Sequence, residues 1–328
     1  MNKPLPMGII GMGYAGMQHY KSAREVAGLT IVAAAEPSNR VLPKEIKHYT
    51  DWREMIAREN LDAVSICAPH YLHAEILTGC LDAGKHVIIE KPMAVNAGQH
   101  ERLANYAEQS GKVVMIEMTH RFYPPVQEAK ALVASGEIGQ VFAVRENIIE
   151  SLEGAMLPAW MLDRSKAGGG VALTSGTHML DRISWVCGQP LTLKYVRIGY
   201  EFGFGDIEDT AIMQLELHTG APVVLNAIWA RRFGDTDEEL TIYATKATLR
   251  VQAWKKLKVE WCTGEVQQSA CYEAGIDHLA KVRVGITSAL REFVAAIDEG
   301  RAAVPGPYDL LPTQRLVDQF YKMAGTEH

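Results

Sequence analysis

No two cysteines of this sequence stand in a C-x-x-C arrangement. The five present, Cys67, Cys80, Cys187, Cys262 and Cys271, are odd in number and widely spaced, which argues against both a disulfide framework and a zinc ribbon. Long apolar runs are missing as well. Nothing approaches the roughly 18 residues of a membrane span, and Met1-Asn2-Lys3-Pro4-Leu5-Pro6 lacks the apolar core of a signal peptide. Basic charge is not in excess: the formal net charge is −6, so the electrostatic footprint of a nucleic-acid binder is absent, and Lys255-Lys256-Leu257-Lys258 reads as a surface cluster. His70 and His73 are three apart, yet no H-E-x-x-H or cysteine cluster completes a metal set. These absences lead us to expect a cytoplasmic protein of a reducing compartment, with no metal, no membrane and no nucleic acid among its partners.

What is present divides into two parts. With 48% hydrophobic residues over 328 positions, the chain can bury more than one core. In its first third, short apolar runs alternate with helix-length amphipathic pieces: 7–10, 29–35, 63–67, 87–89 and 113–116 as strands, with helices after the glycine loop, at 51–56, at 73–83 and at 97–109. Asp51 or Thr50 caps the second of these helices. Continuous apolar strands separated by helices are the mark of βαβ units, so we expect an α/β fold with a doubly wound parallel sheet. Ligands bind at the carboxyl edge of such a sheet. The loops that gather there contain residues 11–16, Glu36, Pro69-His70 and Glu90-Lys91-Pro92.

From about Val141 the rhythm turns to strands, at 141–147, 193–199, 211–217, 223–229, 240–243, 248–251 and 258–261, with helices at 124–135, 178–186, 285–299 and 311–323. Imperfect alternation in this part suits an antiparallel or mixed sheet with one partly covered face. The expected division is 1–122 for a nucleotide domain and 123–328 for a second α/β domain. A sheet so large would expose a broad face in a monomer, and burial against another subunit is the economical remedy.

The sequence Gly11-Met12-Gly13-Tyr14-Ala15-Gly16 directly follows a strand and opens a helix. Gly11 makes the tight turn, Gly13 lets the backbone approach a pyrophosphate, and Gly16 permits close helix packing. Glu36, twenty residues after Gly16, ends the second strand where a carboxylate can accept hydrogen bonds from an adenosine ribose. That favours NAD, with NADP as the alternative through Ser38 and Arg40.

Lys91 at the sheet's carboxyl edge, biased toward extended backbone by Pro92, can bind a substrate hydroxyl and stabilise alkoxide character, with Glu90 holding it in place. Far downstream, Gly168-Gly169-Gly170 is read as backbone passing close to a ligand or to the other domain. Thr174 or Ser175 caps the following helix, on which His178 and Asp181 lie one turn apart. His178 is the candidate acid/base, since an imidazole titrating near neutrality can deprotonate a secondary alcohol. Asp181 either orients it or faces solvent. His70 is a candidate for approaching the cofactor.

Taken together, Gly11-x-Gly13-x-x-Gly16, Glu90-Lys91-Pro92, and Gly168-Gly169-Gly170 followed by Gly176-x-His178-x-x-Asp181 resemble the glucose-fructose oxidoreductase, inositol dehydrogenase and rhizopine-catabolism family of NAD(P)-dependent oxidoreductases. The resemblance covers essentially the whole chain. It implies a Rossmann domain followed by an α/β domain with a large open mixed, mainly antiparallel sheet, sugars or cyclitols as substrates, and homodimers or homotetramers assembled through that sheet. By the family pattern Lys91 looks like the substrate-positioning lysine and His178 like the acid/base, while Pro69, His73 and Arg121 match recurring positions around the nucleotide or the interdomain cleft. Many members carry an aspartate four residues before the histidine. This chain has Thr174 there, which can position a substrate hydroxyl but carries no charge. Tyr123, Trp160, Asp163, Arg164 and Lys166 are further candidates for sugar contacts, and Arg231-Arg232 for an anionic substituent. The expected activity is hydride transfer between a secondary hydroxyl or ketone and nicotinamide. Its alternatives are an NAD-dependent glycosidase working by transient oxidation and elimination, and a non-catalytic NAD-binding sensor or assembly protein.

Overall fold

A computed structural model describes residues 4–152, 157–231, 236–270 and 278–326, so Arg232 and Cys271 lie outside the described residues. Two compact units are present: Met1–Thr119 with Val282–Leu311, and His120–Lys281 with Pro312–His328. The division differs from a single cut after residue 122, because 282–311 groups with the first unit.

The first unit contains β1 (Leu5–Ile10), α1 (Tyr14–Ala23), β2 (Leu29–Ala35), β3 (Lys47–Tyr49), α2 (Trp52–Arg58), β4 (Ala63–Ile66), α3 (His73–Asp82), β5 (His86–Glu90), α4 (Ala97–Ser110) and β6 (Val114–Glu117). Among the described residues the six strands form a parallel sheet in the order β3-β2-β1-β4-β5-β6. The doubly wound sheet is therefore present, with strand order reversing between β1 and β4. All four residues of β4 are buried, as its unbroken apolar run requires when both faces are covered. Asp51 caps α2 by accepting from the Arg53 amide at 2.9 Å, and Asn96 caps α4 in the same way through Gln99. The three-residue strand β3 has no sequence signal. Two of its residues are exposed, so no apolar run announces it.

The second unit contains α5 (Pro124–Ser135), β7 (Val141–Ser151), α6 (Arg164–Ala167), α7 (Val171–Cys187), β8 (Leu191–Gly199), β9 (Thr210–Leu217), β10 (Pro222–Ala230), β11 (Asp237–Ala244), β12 (Ala247–Gln252), β13 (Lys256–Trp261) and β14 (Val266–Ala270). Among the described residues eight strands form one sheet, β14-β13-β12-β11-β7-β10-β9-β8, parallel only between β7 and β10. This is the mixed, mainly antiparallel sheet. Two later helices, α8 (His278–Glu299) and α9 (Pro307–Met323), begin earlier than the periodicity indicates. For α9 the reason is local: Pro307 occupies the first turn, and Asp309 accepts from the Gly306 amide at 2.7 Å. Among the described residues no helix is long and apolar enough to cross a membrane.

One face of the eight-stranded sheet is covered by α5 and α7, and the core of the unit lies between them. Within it Arg182 of α7 is fully buried, its guanidinium held between Glu146 of β7 and Glu238 of β11. A buried cation requires such partners, because an unpaired charge there is far costlier than the pair is stabilising. Glu146 Oε2 is buried with no hydrogen-bond partner among the described residues, and burial outweighs the attraction of Arg182, so its carboxyl is pushed up to about 7.

Two outcomes follow. Arg182→Met should lower unfolding free energy by about 3–5 kcal/mol by stranding two acids. Glu146 has its folded value raised, so between about pH 4.5 and 7 the unfolded chain loses that proton first and the group's stabilisation falls as pH rises. Urea titrations across this window should show that slope reduced in Glu146→Gln.

Candidate active site

The loop between β1 and α1 is built by three glycines with different constraints. Gly11 has φ +89°, and a Cβ there would lie 2.6 Å from the Cys67 carbonyl oxygen. At Gly16 a Cβ would come within 1.9 Å of the Gly11 carbonyl oxygen, so close helix packing forbids any side chain. Gly13 is the N-cap of α1, and a Cβ there would meet nothing of the protein within 4 Å. Its bareness is therefore not needed by the fold. It leaves the positive end of α1 open to an anion, which is what a pyrophosphate needs.

Glu36 closes this loop from β2. Its Oε2 accepts from the Met12 amide at 2.8 Å and its Oε1 from the Ser38 amide at 3.0 Å. Burial would raise its carboxyl, but these hydrogen bonds and the charge on Arg40 more than offset that and hold it below the usual range. An ionised acceptor at this position suits a ribose diol and repels a 2′-phosphate. Tyr14 and Ala15 form the first turn of α1 behind Gly13, with Tyr14 exposed.

The loops after β4 and β5 are tied together by His73. It is fully buried, with one ring nitrogen 2.8 Å from the Ala68 oxygen and the other 2.8 Å from the Pro92 oxygen. Burial lowers its pKa, only partly countered by those carbonyls. His73, the residue that the family resemblance sets around the nucleotide or the interdomain cleft, thus braces the loops after β4 and β5. Pro69 starts the 3-10 turn at 70–72, and His70, buried there, lies edge-on to His73 at 5.6 Å.

Glu90 and Lys91 follow at the carboxyl end of β5, where the Lys91–Pro92 bond is cis. Glu90 Oε1 lies 3.4 Å from His19 Nε2, and His19 Nδ1 is 2.9 Å from Ser65 Oγ. Burial raises the Glu90 carboxyl, but the His19 contact and the charges on His19 and Lys91 outweigh it and bring it below its ordinary value. Beside it in register stands Glu117 of β6, fully buried, with neither carboxyl oxygen hydrogen-bonded among the described residues. Burial first, then the nearby Glu90, raises Glu117 well above the carboxylate range. The two neighbouring acids are thus shifted in opposite directions. No motif marks His19 or Glu117, so reading the sequence missed both.

In the second unit α7 carries the other candidates. It begins at Val171, before the helix start expected after Thr174 or Ser175, because a distant residue caps it: the Glu208 carboxylate accepts from the Gly170 amide at 2.9 Å and the Ala172 amide at 3.0 Å, and from the Tyr321 hydroxyl at 2.7 Å. A Cβ on Gly169 would lie 1.9 Å from that hydroxyl, and one on Gly170 would lie 2.0 Å from the Glu208 carbonyl oxygen. The glycine run is thus required by packing inside this unit, which replaces the reading of it as a ligand or domain approach.

Thr174 and Ser175 are consequently helical rather than caps. The Thr174 hydroxyl donates to the Gly170 carbonyl at 2.7 Å, and Ser175 donates to Glu150, which also accepts from Trp229 Nε1 at 2.7 Å. His178 is half-buried on the same helix. Asp181, one turn on, is buried and takes a two-point ion pair from Arg121 at 2.8 and 2.6 Å, so it does not face solvent. That pair commits the Arg121 guanidinium, which the sequence assigned to the cofactor.

The proposed sugar contacts are largely occupied. Tyr123 is 2% exposed and packs beside His120 and Trp254. Asp163 caps α6 through the Ser165 amide and pairs with Lys166 at 2.9 Å. Arg164 donates to the Thr326 carbonyl and lies over the Tyr321 ring. Trp160 is half-buried in the 3-10 turn at 159–162, and Arg231 lies over Phe204.

Two family models match: residues 5–118 fit the oxidoreductase family, NAD-binding Rossmann fold, and residues 126–250 fit the GFO/IDH/MocA C-terminal domain. The protein is an NAD-binding oxidoreductase. Its chain belongs to the GFO/IDH/MocA family. It is 25% identical to myo-inositol 2-dehydrogenase of Thermotoga maritima, over 74% of each chain. It is also 25% identical to 2,7-anhydro-N-acetylneuraminate hydratase of Mediterraneibacter gnavus, over 76% of this chain and 67% of that one. A solved levoglucosan dehydrogenase, in complex with NADH and levoglucosan, shares the fold at TM-score 0.84 and 20% identity, covering 99% of this chain and 98% of that one.

The glycines make separable predictions. Gly13→Val should leave the thermal midpoint unchanged and weaken NADH binding about tenfold or more, read by fluorescence titration. Gly16→Ala should lower the midpoint itself, because its Cβ has no space.

Proposed function

We propose that the protein interconverts a secondary hydroxyl and a ketone on a sugar, cyclitol or related polyol, using NAD, with Lys91 positioning the substrate and His178 as acid/base. The observation that carries this reading is the location of Lys91 on the carboxyl edge of the same parallel sheet whose β1 loop is shaped for a dinucleotide. Catalysis of hydride transfer needs both at one edge. The substrate class is supported by the relatives named for inositol and for glucosides.

Bound NAD⁺ supplies the acceptor for the hydride that leaves the hydroxyl-bearing carbon. The Lys91 ammonium donates to the substrate oxygen and stabilises its developing negative charge, while ionised Glu90 beside it favours the charged lysine. His178 accepts the hydroxyl proton in oxidation and returns it in reduction, so one hydride and one proton leave the alcohol together. Thr174 donates within its own helix and therefore acts toward a substrate hydroxyl as an acceptor. The ionised Glu36 favours NAD over NADP. The outer face of the eight-stranded sheet, with half-exposed Ile149, Ile212 and Ile228 around Val224, is covered by a second copy in a homodimer or homotetramer.

A second reading is favoured by the hydratase relative: transient oxidation that acidifies a neighbouring C–H, then elimination or hydration, with the cofactor restored. It gives products without net NADH. A sensor that binds NAD without turnover gives neither.

Absorbance at 340 nm and product analysis across sugars, cyclitols and their acids, with NAD⁺ and NADP⁺, separate the three. On the best substrate His178→Ala should lower kcat by ~10²–10⁴-fold, and Lys91→Ala should lower kcat/KM about 10- to 100-fold with both parameters affected. Wild-type turnover by His178→Ala removes the acid/base assignment. Thr174→Val should raise KM about tenfold; an unchanged kcat and KM exclude Thr174 from substrate contact.

A further inference from the structure

The 3-10 turn at 119–122 meets α7 at two successive points. His120 lies flat against His178, with ring centroids 4.3 Å apart and planes 15° apart. One residue further along the turn and one helical turn further along α7, Arg121 grips Asp181 through two hydrogen bonds. The His120 ring is itself confined. It is 7% exposed, with the Trp254 ring edge-on at 5.5 Å and Tyr123 at 5.7 Å.

Stacked rings point their nitrogens outward from the shared faces, so this contact does not pass a proton. It does two other things. It fixes the plane of the His178 imidazole, and it sets beside that ring a second titratable ring, so that two charges would stand a few ångströms apart if both were protonated.

We propose that His120 is a positioning residue for the reaction, holding the His178 ring in one plane and opposing its protonation before the substrate's proton arrives. This rests on the reading of His178 as the acid/base. Other charged groups around α7 are Asp181 and Arg182 on the helix itself, Arg121 on the turn, Lys130 on α5, Glu146 and Glu150 on β7, Glu208 at the helix start before β9, Glu238 on β11 and Lys255 after β12. Arg121 is paired with Asp181, Arg182 with Glu146 and Glu238, and Glu150 is held by Ser175 and Trp229. His120 is a member of none of those pairings; its ring packs against His178, Trp254 and Tyr123.

The test is a ring-nitrogen NMR titration of His178 in histidine-labelled protein, assigned by loss of its signal in His178→Ala. It is run beside kcat against pH on the best substrate of the panel above, with NADH affinity and thermal midpoint as controls. His120→Phe keeps a flat ring that cannot be charged and whose face stabilises an adjacent cation better, so the His178 titration and the acid limb of kcat should both move to higher pH by about half a unit. Its kcat at neutral pH should stay within about threefold of wild type, while His120→Ala, which releases the ring plane, should lose about tenfold in kcat at unchanged NADH affinity. If the His178 titration in His120→Phe coincides with wild type, the proposal is overturned, and it is also overturned if His120→Ala keeps the wild-type kcat. Should His120→Ala fail to fold, the His120→Phe titration decides alone. Wild-type kcat in His178→Ala is a different failure: it removes the acid/base reading, and with it any catalytic consequence of the stack.

Discussion

The Glu208 carboxyl group determines where α7 starts. It accepts from the Gly170 and Ala172 amides and from the Tyr321 hydroxyl. Four amides at a helix start lack intrahelical partners, and in a buried setting they must find acceptors elsewhere. With the start fixed, the positions of Thr174, Ser175, His178, Asp181 and Arg182 follow from the helical step. Their partners are Gly170 at the helix's own start, Glu150 and Glu146 on β7, His120 and Arg121 on the turn at 119–122, and Glu238 on β11. The second unit's polar interior is organised around one helix whose register is set by one acid.

In the first unit the corresponding constraint is steric and electrostatic together. Gly11 and Gly16 leave no space for side chains, while Glu36 draws the Met12 amide toward β2. At the other strand ends, Glu90 and Glu117 stand side by side on β5 and β6, and their surroundings shift the two carboxyls in opposite directions. His19 accounts for the difference, since it faces Glu90. Neighbouring groups of identical chemistry acquire different charge states in this way.

Local patterns in the sequence were sufficient for the parallel sheet, its carboxyl-edge loops, the glycine turn and the Asp51 cap, because each is written within a few consecutive residues. The change to a mixed sheet after Val141 was legible for the same reason. Features that depend on distant partners were not. Glu208 lies 38 residues from the amide it caps, so Thr174 and Ser175, the nearest capping residue types, were taken for the helix start. Arg121 and Asp181 are 60 residues apart, and neither one announces the other. Asp163 and Arg164 are polar and adjacent to an aromatic, which fits a sugar site as well as it fits a helix cap and a brace on Tyr321. Hydrogen-bonding capacity is visible in a sequence; how it is used depends on the fold.

The tight fit between Gly169 and Tyr321 also bears on the order of events during synthesis. Tyr321 belongs to α9 and is separated from Glu208 by 113 residues. While the eight-stranded sheet is emerging, the space against Gly169 has no ring to fill it, and Glu208 lacks one of its donors. The Tyr321 contacts at the amino-terminal end of α7 can thus form only after α9 has left the ribosome. A nascent chain that already holds all strands of both sheets has the Glu208 cap on Gly170 and Ala172 but still lacks the ring that packs against Gly169 and the hydroxyl that completes the cap.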